Sequence, residues 1–167
     1  MITVYFNGAP CHIYGELPQI GERAPSFSLV GKDLNEIKSI ELLGKRVLLN
    51  IFPSFDTGVC AMSVRHFNAE ASKLKNTVVL CVSMDLPFAA SRFCAAEGID
   101  NVFTASAFRS PMFSQKYGMQ LIDGPLAGLF ARSIVIIGEN GIVKYTQLVE
   151  EITNEPNYST AIAALAD

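Results

Sequence analysis

The sequence has no Cys-x-x-Cys pair, so neither a zinc ribbon nor a thioredoxin-type dithiol has its usual signature. It has only two histidines, His12 and His66, far apart in the chain. Both read as ordinary polar groups, and no metal site is expected. Lys and Arg do not cluster and the net charge is −3, which argues against nucleic acid and anionic membrane surfaces as partners. No apolar run approaches the ~20 residues that cross a bilayer, so no membrane span is expected. The first residues, Met1 to Gly8, have neither the basic start nor the apolar core of a secretion signal. A cytoplasmic location is expected, with the periplasm as the remaining option. Nothing has the pattern of a haem, flavin, selenium or nucleotide site, so the expected chemistry uses no cofactor.

Half of the 167 residues are apolar and 17% are charged, enough to build one sizeable core, and residues 1–167 read as a single domain. Four cysteines are present: Cys11, Cys60, Cys81 and Cys94. An even count would suit a stapled secreted protein. A chain of this length folds without staples, and Cys81 lies inside Val-Val-Leu-Cys-Val, a buried-strand pattern. Cys81 and Cys11 are therefore expected to be small core residues.

The first elements read as a hairpin, 3–6 and 11–14, around Asn7-Gly8-Ala9-Pro10. A loop follows to Pro25, then a short strand over 26–30. The segments 47–52 and 77–83 are almost continuously apolar, as strands covered on both faces should be. Between them Val64, Phe67, Ala71 and Leu74 mark one face of a helix over about 58–75, giving a βαβ unit with parallel strands. Asp85 and Pro87 open a second helix that Gly98 closes. A short strand at 102–104, a helix from Ser110-Pro111 to Gly118, a hairpin of 133–137 with 142–148, and a last helix over 157–165 complete the chain. The order predicts an α/β, thioredoxin-like fold: a mixed central sheet flanked by helices, with an added N-terminal β-hairpin.

Pro53-Ser-Phe-Asp-Thr57-Gly-Val-Cys60 carries the chemistry. Cys60 falls in the first turn of the helix, where unsatisfied N–H groups and the helix dipole favour a thiolate. An ordinary thiol is only about 3% thiolate at pH 7, so full ionisation is a gain of about 30-fold. The rest of an enzyme's rate must come from placing the substrate and stabilising the leaving group. Thr57, about one helical turn earlier, can bring its hydroxyl near the sulfur, and a distant Arg can complete the charge pattern.

The stretch resembles the peroxiredoxin Pro-x-x-x-(Thr/Ser)-x-x-Cys motif. With Asp56, Gly58 and Val59 it is similar to the bacterial thiol peroxidase branch, the atypical 2-Cys peroxiredoxins. The likeness continues in Ser91-Arg92-Phe93-Cys94, in Ala96-Glu97-Gly98, in Asp123-Gly124-Pro125-Leu126, in Gly128-Leu129 and in Ala131-Arg132, and so covers most of the chain. The resemblance implies that Cys60 is the peroxidatic nucleophile and passes through a sulfenic acid. It implies that Cys94 resolves this acid in an intramolecular Cys60–Cys94 disulfide. Thr57 would bond the sulfur and peroxide, Pro53 would keep water out, and Arg132 would be the cation beside the thiolate. The implied substrates are hydrogen peroxide and alkyl hydroperoxides, and the implied reductant is thioredoxin, itself reduced by thioredoxin reductase. The implied assembly is a homodimer. A peroxide-responsive sensor on the same fold is the alternative, since it needs the same two thiols.

Helix polarity agrees with this division. Cys60 is at the positive end of its helix, while Cys94, four residues before Gly98, is towards the negative end of the next. A disulfide needs Cα atoms roughly 4.4–6.8 Å apart, which two helices need not satisfy in the reduced fold. Oxidation is therefore expected to unwind the turn around Cys60 and part of the Cys94 helix. Phe88, Phe93 and Phe108 are expected to pack, or in part to line an apolar mouth for alkyl peroxides.

Overall fold

Residues 1–166 are described by the structure, a computed structural model; Asp167 lies outside the described residues. A two-stranded hairpin, β1 (Ile2–Phe6) and β2 (Ala9–Ile13), precedes a seven-stranded sheet. The sheet contains β3 (Ser28–Gly31), β4 (Glu36–Lys38), β5 (Arg46–Ile51), β6 (Thr77–Ser83), β7 (Phe103–Ser106), β8 (Ser133–Ile137) and β9 (Val143–Leu148). Its spatial order is β4-β3-β7-β6-β5-β8-β9. β5, β6 and β7 are parallel; the remaining neighbours pair antiparallel. The helices are α1 (Gly58–Ala71), α2 (Pro87–Glu97), α3 (Pro111–Tyr117) and α4 (Tyr158–Leu165).

The central strands are buried on both faces, and their side chains divide by parity into two apolar layers. Val47, Leu49 and Ile51 of β5 face one layer with Phe113 and Tyr117 of α3 and Val4, Cys11 and Ile13 of the hairpin. Leu48 and Phe52 face the other, with Val64 and Phe67 of α1, Ala90 of α2, and Ala161 and Leu165 of α4. Both reactive-cysteine candidates, Cys60 and Cys94, lie in this second layer.

The expected mixed sheet, helices on both faces and N-terminal hairpin are present; several bounds differ. The first hairpin turns at Asn7 and Gly8 alone, both at positive φ (53° and 79°), and Pro10 is inside β2 opposite Tyr5. An Asn-Gly pair suits such a two-residue turn, so the strands close two residues sooner than the wider loop predicts. β3 starts at Ser28 rather than 26, and β4 was not foreseen. α1 ends at Ala71, not near 75. Leu74 still packs on the core, reached through a tight turn in which its N–H bonds Ala71 O at 3.1 Å. Gly118 caps α3 at φ 68°, and a Cβ there would collide with the backbone of Glu16. That contact fixes the loop after β2 against the end of α3.

Candidate active site

β5 delivers its chain to the carboxyl edge of the sheet, where Phe52 N still bonds Val82 O of β6 at 3.1 Å. The buried Pro53 follows, then the loop 54–57, then α1. β8 runs antiparallel to β5, with Ser133 opposite Ile51. Arg132, one residue before Ser133, therefore arrives at the same edge from a segment far away in sequence.

These two approaches meet at Cys60. Arg132 Nη2 donates to Cys60 Sγ at 3.3 Å. The sulfur's residue is fully buried, and Arg132 is only 1% exposed. Arg132 Nε donates to Ile152 O at 2.9 Å, which fixes the guanidinium plane. Nη1 is buried with no partner among the described residues. A buried donor without an acceptor costs free energy. Here it leaves one uncommitted donor on the guanidinium whose other terminal nitrogen bonds the sulfur.

Thr57 is the N-cap residue of α1, yet its side chain makes no cap bond. Its Oγ1 donates instead to Ser54 O at 3.1 Å. Thr57 thus stands three residues before Cys60, with its hydroxyl proton committed to the loop and not to the sulfur. The first-turn N–H groups are left without a side-chain cap.

Cys94 is in α2, buried in the same apolar layer, and all four cysteines are free thiols. Burial pushes the Cys94 thiol up from its ordinary value, with a weak opposing pull from Lys32. Burial pushes Cys81 up to about 12, against a lowering bond from Asn50. Neither is suited to attack as a thiolate at neutral pH. Cys11 is raised by burial and then by the charges of Asp123 and Glu151. The two helices are tied together away from Cys60: Arg65 Nε and Nη2 hold Glu97 at 2.9 and 3.1 Å, and Asn68 Oδ1 accepts from Asp100 N and Asn101 N at 3.2 and 2.7 Å.

Three contributors escaped the sequence reading. Asn50 Nδ2 donates to Ser63 Oγ at 3.1 Å, and Ser63 Oγ donates to Cys60 O at 2.8 Å, so the reactive turn is bonded through Ser63 to β5. Asp85, read as a helix-start signal, does not cap α2, whose N-cap residue is Leu86. Its carboxylate instead accepts from Ser54 Oγ at 2.8 Å, Phe55 N at 2.9 Å and Ser83 Oγ at 2.8 Å. A polar residue in a strand, a Ser inside a helix and an Asp before a Pro give no sign of such partners.

Of the three phenylalanines, Phe93 packs, its ring 4.8 Å from that of Phe55. Phe88 is 66% exposed, so the packing expected of it is not made within the chain, whereas Phe108 is 39% exposed and lies under the Arg109 guanidinium, 5.6 Å from the ring centre. His12 Nδ1 bonds Asp123 Oδ2 at 2.6 Å, and the exposed His66 stacks on Tyr158 with ring centres 3.8 Å apart.

The chain matches the Redoxin family model over residues 19–162. It is 53% identical to a thiol peroxidase of Corynebacterium glutamicum over 165 residues, covering 99% of each chain. It is 54% identical to a thiol peroxidase of Mycobacterium bovis, again over 165 residues and 99% of each. Among solved structures it resembles a peroxiredoxin-like protein from Aquifex aeolicus, with TM-score 0.90, 38% identity, and 98% of this chain and 95% of that one covered. The thioredoxin-like architecture expected from the order of elements is thereby shared with a solved peroxiredoxin-like relative.

Proposed function

The chain belongs to the Redoxin family, among its bacterial thiol peroxidases, and from that premise we propose how it reduces peroxide. The observation that carries the reading is the buried Arg132 guanidinium donating to Cys60 Sγ at 3.3 Å in the first turn of α1.

Cys60 attacks one oxygen of the peroxide as a thiolate. The O–O bond breaks, the sulfur gains that oxygen as a sulfenic acid, and the leaving oxygen takes a proton to become water or an alcohol. Arg132 stabilises the sulfur anion, and its unpartnered Nη1 receives the oxygen on which charge develops. The open first-turn N–H groups add further donors. Thr57 and Pro53 complete the pocket wall: Thr57 Oγ1, its proton given to Ser54 O, serves the peroxide only as an acceptor, and Pro53 excludes water. The Cys94 thiol then displaces hydroxide from the sulfenate sulfur, forming the Cys60–Cys94 disulfide and releasing water. Because both thiols are buried on separate helices, this step requires α1 and α2 to loosen near the cysteines.

Thioredoxin supplies the two electrons that restore the dithiol. We also assign the chain, 1–167, to one catalytic domain acting in the cytoplasm as a homodimer; no helix among the described residues is long and apolar enough to cross a membrane. Homologues named as enzymes favour turnover over a sensor role.

Turnover with thioredoxin and either hydrogen peroxide or an alkyl hydroperoxide tests the scheme. Cys60→Ser abolishes consumption, while Cys94→Ser reacts once and stalls. Normal thioredoxin-linked turnover by Cys94→Ser contradicts the resolving role. Oxidised wild type runs as a monomer on a non-reducing gel; a covalent dimer points to resolution between chains. Hydrogen exchange over 55–62 and 88–97 rises on oxidation, and equal protection in both redox states contradicts the unwinding.

A further inference from the structure

Asp85 sits two residues after β6 and one residue before the N-cap of α2, the helix that carries Cys94. Its own position is fixed from the sheet side. Asp85 N donates to Ser83 Oγ at 3.2 Å, Ser83 Oγ donates to Asp85 Oδ2 at 2.8 Å, and Ser106 Oγ at the end of β7 donates to Asp85 O at 2.5 Å. From this base the carboxylate reaches into the loop before Cys60, taking Ser54 Oγ on Oδ1 and Phe55 N on Oδ2. Ser54 Oγ in turn accepts from Asp56 N at 3.1 Å. The loop therefore hangs on one carboxylate through three consecutive residues. The ring of Phe55 packs between Phe52 and Phe93, at 5.1 and 4.8 Å, and Phe93 is the neighbour of Cys94.

We propose that Asp85 is a positioning residue for the peroxidase cycle: its carboxylate holds the Ser54–Thr57 loop in the shape that presents Cys60 to peroxide, and the loop lets go of it when Cys60 pairs with Cys94. This rests on the scheme above and adds the group that sets the balance between its two steps. Hydrogen bonds to a charged acceptor are the strong class, and a carboxylate can accept at several lone pairs at once. An amide in its place has no charge and one acceptor oxygen where the carboxylate has two, so Asp85→Asn keeps the volume and weakens the bonds to Ser54, Phe55 and Ser83. Loosening the loop has opposite effects on the two steps. Peroxide attack needs the loop closed and slows, whereas disulfide formation needs it open and speeds up.

The test uses the reduced full chain and follows three quantities: the rate of Cys60 oxidation by hydrogen peroxide, the rate of disulfide formation from the sulfenate, and the thermal midpoint. Asp85→Asn lowers the first by about tenfold, the effect of losing one charge-assisted bond, and raises the second. Ser54→Ala shows a smaller change of the same signs. The double variant falls short of the product of the two single effects, since the Ser54–Asp85 bond is lost in both. Unchanged rates in both steps overturn the proposal. So does a parallel fall of both rates with the midpoint, which marks a purely structural residue. If wild-type Cys60 itself fails to react, the underlying scheme has failed; if wild type reacts and Asp85→Asn matches it, only this inference has.

Discussion

Arg132→Met removes the guanidinium and keeps a long, flexible apolar side chain in its place. In wild type one terminal nitrogen bonds the sulfur, the second has no partner, and Nε bonds the Ile152 carbonyl. A hydrogen bond to a charged group contributes about 1.5–3 kcal/mol, and every 1.36 kcal/mol is tenfold in rate. Losing the bond to the thiolate alone slows peroxide attack at neutral pH by about 10- to 30-fold, the upper figure being the limit set by the ionised fraction of the thiol. Losing Nη1 as a donor to the developing oxygen anion increases the effect. Stability should move the other way. Burying an ion costs several kcal/mol unless its partner matches it well, and apolar replacements of buried ions are often neutral or stabilising. Arg132 is 1% exposed and has no carboxylate partner among the ion pairs of the described residues, so Arg132→Met keeps or raises the thermal midpoint. The chain has no tryptophan, so the rate is read by competition with a haem peroxidase of known rate and not by indole fluorescence. A variant within threefold of wild type would refute the assignment of Arg132. A slow variant that is also strongly destabilised would show that the guanidinium serves the fold and not the sulfur.

Other outcomes follow from single features. Gly118→Ala places a Cβ against Glu16 backbone at φ 68° and costs at least about 2 kcal/mol, seen as a midpoint lower by roughly 4–8 °C; an unchanged midpoint means the Gly15–Gly118 crossing is not tight. The bonds from His12 to Asp123 hold that carboxyl below its usual range, first through the ring and then through the His12 N–H. A depressed carboxyl stabilises above its unfolded value and loses that contribution as pH falls through the folded one. The urea midpoint of wild type should therefore exceed that of Asp123→Asn by a constant amount above about pH 5, and the gap should shrink below about pH 4. Cys81 titrates in the opposite sense: its raised value means stability present at neutral pH and lost from about pH 9 upward, where the unfolded thiol ionises. Cys81→Val should flatten that alkaline loss, and an identical alkaline profile would contradict the burial of this thiol.

The parts of the fold that were legible are those where one strong local rule acts. β5 and β6 are long apolar runs, α2 has Pro87 and Gly98 at its ends, and Gly138 to Gly141 forces the β8–β9 turn. β4 was not legible because it is three residues long with one half-buried side chain, Ile37, and its path depends on Leu34 at φ 71°, a conformation no Leu advertises. In the candidate site, the place of Cys60 in the first turn of α1 and of Thr57 at its start was legible from the helix pattern. Arg132 came only through family likeness, because its approach depends on antiparallel pairing of β8 with β5 across some 80 residues of chain. Asn50 and Ser63 pair across 13 residues and Asp85 reaches Ser54 across 31, and no local pattern encodes those pairings. Thr57 shows a further limit: spacing places it at the start of the helix, but its hydroxyl's acceptor, Ser54 O, is decided by the turn.

One oxygen transfer is the heart of the account, and it can be caught directly. Reduced Cys94→Ser is mixed with a single equivalent of hydrogen peroxide, trapped with a sulfenic-acid reagent, digested and mapped by mass spectrometry. The adduct should sit on the peptide containing Cys60, with Cys11 and Cys81 unmodified and the peroxide consumed. An adduct on either of those thiols, or peroxide left in solution with no adduct at Cys60, would contradict it.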